Sequence, residues 1–337
     1  MTGHLIISLD FELHWGSFDK HPLTSSRKKY YLNTRNAINS ILTLFSQYQI
    51  HATWATVGLL FNESKSELLD SLPNRMPSYK DQKLSAYNYL EANPLGENED
   101  SDPFHFAKAL IKKIIETPNQ EIGTHSFAHY YCNEDGQTVE EFAEDLDAAI
   151  NAGRKFNLEI KSMVFPRNQF NSEYLKVCRE KGITSVRSNP ADWWWQINST
   201  SDESWLKRIY RGADAYLPLG KKTSFPVSTL DSIQMPLLIP ASRLLRPYRK
   251  SEFILNKRRI SRIKNEMSIA AKSNEIYHLW WHPHNFGNNT FKNLEGLKEI
   301  ISHFNLLKNN FGFQSLNMGQ LAEMVLKNEL TQAHGER

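Results

Sequence analysis

Residues 121–129 read EIGTHSFAH, and this stretch decides what the chain around it is expected to form. A short extended run, Glu121–Thr124, leads directly into His125 and His129. Histidines four residues apart lie on one side of a helical turn, close enough to bind the same ion. The stretch therefore predicts a β-strand that ends at a metal-binding turn.

Strand-like runs alternate with runs of helical periodicity on both sides of this stretch. The other predicted strands are His4–Asp10, His51–Val57, Lys161–Phe165, Ile183–Arg187, Ile276–Trp281 and Phe313–Leu316. The predicted helices span residues 34–48, 104–116, 138–155, 171–182, 251–272 and 294–309, with a terminal helix after Asn317. Such alternation is typical of parallel β-α units. About seven units favour an α/β fold of the (β/α) barrel type over an open sheet.

Two long stretches, residues 62–103 and 192–245, interrupt the alternation. Loops of this length in a compact fold are usually functional or disordered. Their aromatic residues argue against disorder, so we expect functional loops. We predict one domain over residues 1–330 and a polar tail over 331–337.

Chemically active side chains follow the predicted strands at five places. The segments are Asp10-Phe11-Glu12, His125 to His129, Phe165-Pro166-Arg167-Asn168-Gln169, Asp192-Trp193-Trp194 and His278 to Pro283. In a (β/α) barrel the catalytic side chains lie at the carboxyl ends of the strands, so these segments are expected to meet in one cleft. Two acids, two histidines, an arginine, a further acid and a late histidine suit metal-assisted hydrolysis.

Asp10 and Glu12 sharpen this prediction. Residues i and i+2 of an extended segment point to the same side, and two acids there repel each other unless they are paired or metal-bound. One carboxylate with two histidines is a recurring catalytic metal site, and the other carboxylate can then act as general base. His278 and His282 form a second pair, but four residues of a strand span ~13 Å, too far to share an ion.

These segments resemble the polysaccharide deacetylase family, carbohydrate esterase family 4 and its relatives. Glu121–His129 is the most specific match, His51–Gly58 resembles the second-strand signature of the family, and the resemblance runs from Ser8 to Pro283. It implies a distorted (β/α) barrel, often of seven strands. It also implies the metal-dependent removal of N-acetyl or O-acetyl groups from sugars.

The resemblance also implies a role for individual residues. The implied set is Asp10 as general base, Glu12, His125 and His129 as metal ligands, Arg167 as the residue that holds Asp10, His282 as general acid and Asp192 as the acid that orients them. The commonest family pattern has adjacent aspartates, whereas Phe11 separates Asp10 from Glu12 here. Which carboxylate binds the metal therefore stays open. Zn²⁺ is the expected ion, and carboxylate–histidine sites also accept Mn²⁺, Co²⁺ or Ni²⁺.

Physical chemistry supports some of these roles. Arg167 follows a rigid proline, and a guanidinium can grip a carboxylate with two hydrogen bonds. His282 precedes a proline, which favours extended backbone, and an imidazole suits proton transfer near neutral pH. A backbone N–H near Asn168 or Gln169 is expected to stabilise the oxyanion.

Tryptophans near the predicted cleft offer flat surfaces for a sugar ring. We expect Trp193, Trp194 and Trp281 to contact substrate, together with Asn168 and Gln169. The alternative is that consecutive tryptophans pack in the core.

Charge and the N-terminal sequence suggest partners and a location. The net charge of +3 gives no reason to expect a nucleic-acid partner. The basic run 243–264 is either a solvated helix face or a contact with an anionic membrane or a lipid-linked sugar. The apolar run Leu5–Ile7 is too short for a signal peptide, and Cys132 and Cys178 make no disulfide framework. We therefore expect a cytoplasmic protein, with peripheral contact at the inner membrane face as an option. The oligomeric state stays open.

The sequence thus predicts a metal-dependent hydrolase that removes acetyl from an N-acetylated sugar in the assembly of a surface polysaccharide or lipid-linked oligosaccharide. One alternative is hydrolysis of another amide, as in a deformylase or an allantoinase-like enzyme, because pocket shape selects the acyl group. The other is a non-catalytic carbohydrate-binding protein on the same fold.

Overall fold

The computed structural model describes residues 2–197, 199, 202–230 and 235–335, and it confirms the predicted α/β architecture. Parallel strands form one curved sheet in the order β6-β5-β4-β3-β2-β1-β8-β7, and β9 pairs with β1. The strands are His4–Phe11 (β1), Ala52–Thr56 (β2), Gln120–Thr124 (β3), Ser162–Met163 (β4), Ser185–Ser188 (β5), Leu237–Pro240 (β6), Arg243–Leu244 (β7), Ile276–Trp281 (β8) and Gln314–Leu316 (β9). Eight strands follow one another along the sheet rather than the expected seven.

Helices surround this sheet. They are Ser25–Tyr48 (α1), Lys65–Asp70 (α2), Ala86–Ala92 (α3), Lys108–Glu116 (α4), Val139–Arg154 (α5), Ser172–Glu180 (α6), Trp205–Asp214 (α7), Phe253–Ser273 (α8), Thr290–Phe311 (α9) and Met318–Gly335 (α10). A capping box at Thr138 and Glu141 opens α5, and Gly182 has a positive φ just after α6. The core helices therefore begin and end close to where their capping residues predict.

The strands have two different faces, and the difference positions the site. Leu5, Ile7 and Leu9 of β1 pack outward against the helices in the larger core cluster. Ile6 belongs to a second cluster inside the sheet, which also contains Leu321 of α10. Since successive side chains of a strand alternate, Ser8 and Asp10 share the inner face with Ile6. The interior is thus apolar at one end, where α10 packs, and polar at the carboxyl ends of the strands.

The two predicted loops contain regular structure. Helices α2 and α3 lie within residues 62–103, and α7, β6 and β7 lie within 192–245, of which residues 198, 200–201 and 231–234 fall outside the described residues. Helix α10 continues to Gly335, so the predicted polar tail begins inside a helix. The prediction of a single domain over 1–330 stays a prediction.

The basic run 243–264 is not one solvated face. Arg243 donates to Glu266 at 2.7 Å, and Arg262 donates to the other oxygen of the same carboxylate at 2.9 Å. Arg259 is only 6% exposed and donates to the Pro247 carbonyl at 3.0 Å. Because a guanidinium needs acceptors wherever it is buried, these arginines hold α8 onto its neighbours. The exposed cations of α8 within the run include Lys257 and Arg258.

No helix in the described part of the chain is both long and apolar enough to span a membrane.

Candidate functional site

Glu12, His125 and His129 come together at the carboxyl ends of β1 and β3. Glu12 Oε2 lies 3.3 Å from His125 Nε2 and 3.1 Å from His129 Nε2. All three residues are buried, and one donor atom from each lies within 4.8 Å of the others. The prediction that these three side chains lie together is confirmed. Their role as metal ligands stays a proposal.

The chemistry of this donor set fits a cation. His125 Nδ1 lies 2.7 Å from the Val164 carbonyl oxygen, which can only accept, so Nδ1 carries the proton. In a neutral imidazole, Nε2 then presents a lone pair to the carboxylate of Glu12. Two acceptors facing each other in a buried place are unfavourable unless a positive charge lies between them. A divalent metal ion satisfies both, and the carboxylate–histidine set leaves coordination positions open.

The backbone around the histidines is shaped for this arrangement. Ser126 and His129 have positive φ values of 60° and 56°, which few residues with a side chain adopt. Gly16 provides room for the carboxylate, since a Cβ at that position would lie 1.9 Å from the Glu12 side chain. The cluster thus requires a tight turn between Ser126 and His129 and a residue without a side chain at position 16.

Asp145 of α5 holds the turn between the two histidines. Its two oxygens accept from the backbone N–H groups of Phe127 at 2.7 Å and Ala128 at 3.0 Å. The side chain is fully buried, and burial raises its pKa to about 7 even though the two N–H donors act to lower it. Asp145 therefore positions the turn without touching the cluster.

Above pH 7 we expect Asp145→Asn to destabilise the fold by about 1–3 kcal/mol, because its amide NH₂ would face one of the two N–H groups that donate to the ionised carboxylate. The folded protein keeps a proton on Asp145 between its ordinary pKa of 3.8 and about 7, whereas the unfolded chain has released it. Its stabilising contribution is therefore complete below the lower value and is lost as pH rises to the upper one. Urea unfolding across this pH range should show that the free energy of unfolding falls more steeply with pH for wild type than for Asp145→Asn.

Asp147→Asn on the same helix is the matched control, because the Asp147 side chain is 46% exposed and pairs with Lys181. It should leave both stability and its pH dependence nearly unchanged. If the free energy of unfolding depended on pH in the same way in wild type and in Asp145→Asn, the raised pKa of Asp145 would be contradicted.

The second part of the site is a buried ion pair between Asp10 and Arg187. Arg187 donates to Asp10 Oδ1 at 2.6 Å and to Oδ2 at 2.7 Å, and each residue is at most 2% exposed. Burial acts to raise the pKa of Asp10, but the charge of Arg187, and then that of His282, outweigh it and leave the pKa below its usual value. Asp10 is therefore an ionised carboxylate beside the donor cluster.

Arg187, and not Arg167, holds Asp10, so this prediction was wrong. Arg167 pairs with Asp19 at 2.8 Å and with Glu134 at 3.1 Å. The backbone of Arg167 is left-handed, with φ at 57°, and Arg167 lines the same cleft as Asp10 without pairing with it. The alternation of inward- and outward-facing residues along β5 could have identified Arg187 from the sequence. An arginine on the inner face of a barrel strand needs a buried acid as its partner.

His282 lies between the two parts, and its role as general acid stays a prediction. Its Nε2 lies 3.6 Å from Asp10 Oδ2 and 3.8 Å from Glu12 Oε1, and its side chain is 26% exposed. His284, which was not among the predicted site residues, places Nδ1 3.4 Å from Glu12 Oε1. Both oxygens of Glu12 are thus approached by imidazoles. His284 could have been selected from the sequence because it directly follows Pro283, close to the end of β8.

Two tryptophans line the cleft beside Asp10 and His282. They are Trp195 and Trp280. Trp281 is fully buried on the outer face of β8, where its ring stacks on Phe286, so its predicted contact with substrate was wrong. Strand alternation explains this, since Trp280 pairs with Ser8 on the inner face.

The other two selected tryptophans lie away from the polar part of the cleft. Trp194 is buried and stacks on Tyr210 of α7, with ring centroids 5.5 Å apart. Trp193 is 49% exposed at the surface and packs edge-on against the same tyrosine. Direct sugar contact by either residue stays a prediction.

The remaining predictions around the cleft need correction. The N–H groups of Asn168 and Gln169 donate to Phe165 O at 2.8 Å and Pro166 O at 3.3 Å, so they are not directed at substrate. The Asn168 side chain instead accepts from Arg187 Nη2 at 3.0 Å and steadies the ion pair. Asp192 accepts from the Lys221 N–H at 3.0 Å, a contact between loops that does not orient Asp10 or His282.

We expect His129→Ala to weaken Zn²⁺ binding by about 100-fold or more, because even changes next to metal ligands weaken affinity 10–100-fold. Metal-stripped protein would be titrated with Zn²⁺ by calorimetry and its content checked by elemental analysis. His303→Ala on α9, where the ring contacts Ser268, is the matched control and should bind like wild type. Undiminished binding by His129→Ala would remove this residue from the ligand set.

Comparisons with known proteins agree with the geometry. The chain belongs to the polysaccharide deacetylase family, whose model matches residues 15–186, just over half of its length. A search of curated proteins gave no significant match.

Solved structures share the fold at low sequence identity. A Mycobacterium smegmatis protein assigned to the polysaccharide deacetylases is 12% identical with a TM-score of 0.60, over 98% of this chain and 92% of that one. One from Pseudomonas aeruginosa PAO1 is 9% identical with a TM-score of 0.52, over 95% of this chain and 89% of that one. The 4-alpha-glucanotransferase of Thermococcus litoralis is 12% identical with a TM-score of 0.54, over 96% of this chain and 40% of that one. Since a glucanotransferase also shares this fold, the fold alone does not specify the reaction.

Proposed function

We propose that the protein is a metal-dependent deacetylase that hydrolyses the N-acetyl group of a sugar. The observation that carries the proposal is the juxtaposition of two units: the buried Asp10–Arg187 pair and the Glu12, His125 and His129 cluster, with His282 between them. An ionised base, a cation site and an exchangeable proton donor are the groups that amide hydrolysis requires. The family membership supports the same class of reaction.

The cluster would hold the metal through Glu12, His125 and His129. A divalent ion bound there supplies a Lewis acid that polarises the acyl oxygen and acidifies water. Zn²⁺ is the ion we propose, with Mn²⁺, Co²⁺ or Ni²⁺ as substitutes that the same donors accept.

The residues of the chain move the protons. Asp10 accepts a proton from the attacking water, and Arg187 keeps this carboxylate ionised until that step. His282 then donates a proton to the sugar nitrogen, so the leaving group departs as a neutral amine and acetate remains. The partial exposure of His282 allows it to exchange protons with solvent between turnovers.

The cleft supports a sugar as the substrate. The rings of Trp195 and Trp280 present apolar faces, and Asn189 and Arg211 add polar groups beside them. Flat rings with polar neighbours match a pyranose, whose faces are apolar and whose edge carries hydroxyls. We further propose an intermediate of surface-polysaccharide or lipid-linked oligosaccharide assembly as the natural substrate.

Acetate release tests the function. Zn²⁺-loaded protein would be incubated with N-acetylated and N-formylated sugars, each free, nucleotide-linked or lipid-linked, while acetate and formate are measured. The proposal expects acetate release that stops when a chelator removes the metal and returns on adding Zn²⁺. Faster formate release would favour a deformylase, and saturable sugar binding without release of either acid would favour a carbohydrate-binding protein.

We expect His282→Ala to lower turnover of an N-acetyl sugar by about 10²–10⁴-fold while leaving Zn²⁺ content unchanged. An aryl acetate, whose leaving group needs no proton, should be affected far less. His278→Gln would be an unsuitable control because Ser8 bonds to the buried His278 ring, so His303→Ala again serves. Equal losses on amide and aryl ester would argue against His282 as the general acid.

A further inference from the structure

Helix α7 and the first turn of α8 expose large apolar side chains. Trp205 is 68% exposed, and Ile209, one turn later on α7, is 55% exposed. At the start of α8, Phe253 and Ile254 are 60% and 69% exposed. Single exposed apolar residues need no explanation, but several on neighbouring elements usually mark a contact surface.

The segment after α7 packs on α8, so the two exposed apolar faces belong to neighbouring elements. The Tyr216 hydroxyl donates to Glu252 at 2.6 Å, and Arg262 of α8 donates to the Asp214 and Leu217 carbonyls. A groove between this segment and α8 is lined by Tyr216, Pro218, Phe253, Ile254 and Ile269. We call α7, residues 215–219 and the exposed face of α8 the α7–α8 surface.

Cations border the apolar part of the α7–α8 surface. Lys257 lies 5.4 Å from the centre of the Phe253 ring, and Arg258 beside it is exposed. Lys207 lies on α7, where Arg208 pairs with Glu203 at 3.2 Å, and Lys250 precedes α8. Two acidic side chains of this region already have partners within the protein. Glu252 bonds to Arg259 and Tyr216, and Glu266 bonds to Arg243 and Arg262. The border therefore carries an outward positive charge.

We propose that the α7–α8 surface docks the protein onto an anionic lipid bilayer. A helix with Trp, Ile and Leu on one face and Lys and Arg beside them is typical of segments that lie at a membrane interface. Interfaces with other proteins also use aromatic residues, but lysine is depleted there. The lysines at positions 207, 250 and 257 therefore favour a lipid surface over a second copy of the chain.

The other side of α7 borders the cleft. Arg211 of α7 lines the cleft with Trp195, and Tyr210 stacks on Trp194. A bilayer held by the α7–α8 surface would thus lie next to the entrance for substrate. If the proposed function holds, on which this step rests, the sugar is presented on a lipid whose head group reaches the cleft.

Vesicle sedimentation tests the docking. The full chain would be mixed with vesicles of phosphatidylcholine alone or with 30% phosphatidylglycerol, at low and at high salt. We expect binding to the anionic vesicles that weakens with salt. Lys257→Glu with Arg258→Glu should reduce partitioning by at least about 25-fold, since each lost cation costs about fivefold and each glutamate adds repulsion. Trp205→Ser with Ile209→Ser should reduce it by about tenfold or more.

The matched control is Leu69→Ser with Lys112→Glu. Leu69 is 50% exposed on α2, and Lys112 is exposed on α4, which packs against β3 rather than β8. This control should bind vesicles like wild type. Release of acetate from a free acetylated sugar should be unchanged in all these variants, so a failure of docking is distinguishable from a failure of the proposed function.

Two results would overturn the docking proposal. One is no binding to anionic vesicles at low salt, or an equal loss in the control variant. The other is a dimer, seen by analytical ultracentrifugation without lipid, that the α7–α8 variants dissociate while vesicle binding is absent. That result would identify the surface as an interface between copies of the chain.

Discussion

Asp10→Asn is expected to lower kcat/KM for an N-acetyl sugar by about 10²–10⁴-fold, the usual contribution of a general base. The loss should fall on turnover, because the donor atoms of Glu12, His125 and His129 remain and Zn²⁺ content should be unchanged. Asparagine has nearly the same shape as aspartate but cannot accept a proton from water. Steady-state kinetics on metal-loaded protein, with metal analysis of the same sample, measures both quantities.

Asp10→Asn also weakens the contact with Arg187, and Ser8→Ala separates that effect from the loss of the base. The Ser8 hydroxyl accepts from Arg187 at 3.1 Å, so its removal also takes one partner from the arginine while the carboxylate stays. We expect Ser8→Ala to lower kcat/KM less than tenfold. Similar losses in both variants would show that the environment of Arg187, and not proton transfer to Asp10, limits the reaction.

The fold was predictable because its signals are local. Apolar runs mark the strands, and Thr138 and Asn171 accept hydrogen bonds at the starts of α5 and α6. Helix α1 begins at Ser25, nine residues before its predicted start at position 34, because Thr24 caps a first turn that is mostly polar. Helix α7 was missed for a related reason, since its apolar face contacts no core and lies within a stretch read as a loop.

The donor cluster was predictable because strand ends converge in a parallel barrel. Glu12 follows β1, and His125 directly follows β3, which only β2 separates from β1, so the topology brings the two residues to the same end of the sheet. The same topology brings His282 after β8 to the site, since β8 pairs with β1. Each of these residues lies within a residue or two of a regular element, which fixes its position.

The partners that depend on side-chain direction could not be read in the same way. Arg167 and Arg187 both lie near strand ends, but Arg187 pairs with Asp10 whereas Arg167 pairs with Asp19 and Glu134. Trp280 and Trp281 are adjacent, and the register of β8 against β1 decides which of them faces the cleft. One residue of register moves a side chain to the other face of the sheet.

Arg187→Met is expected to destabilise the fold by about 3–5 kcal/mol, because it leaves the buried carboxylate of Asp10 without its counter-charge. Burial is the largest influence on Asp10 and acts to raise its pKa, so loss of the arginine should let the pKa rise. Activity that survives should then fall on the acid side at a higher pH than in wild type. Urea unfolding and the pH dependence of kcat/KM are the two measurements.

The same experiment decides between the two arginines. Arg167→Met disturbs contacts with Asp19 and Glu134 but leaves both hydrogen bonds from Arg187 to Asp10, so its pH profile should match wild type. Arg187→Lys keeps the charge but not the two-pronged contact, and its stability should lie between those of Arg187→Met and wild type.

A double variant isolates the ion pair itself. Asp10→Leu with Arg187→Met removes both charges, and replacing a buried pair with apolar residues is often neutral for stability. We therefore expect the double variant to be more stable than Arg187→Met alone, though inactive. If its destabilisation were instead the sum of the two single changes, Asp10 and Arg187 would contribute independently, and the ionised state of Asp10 would need another cause.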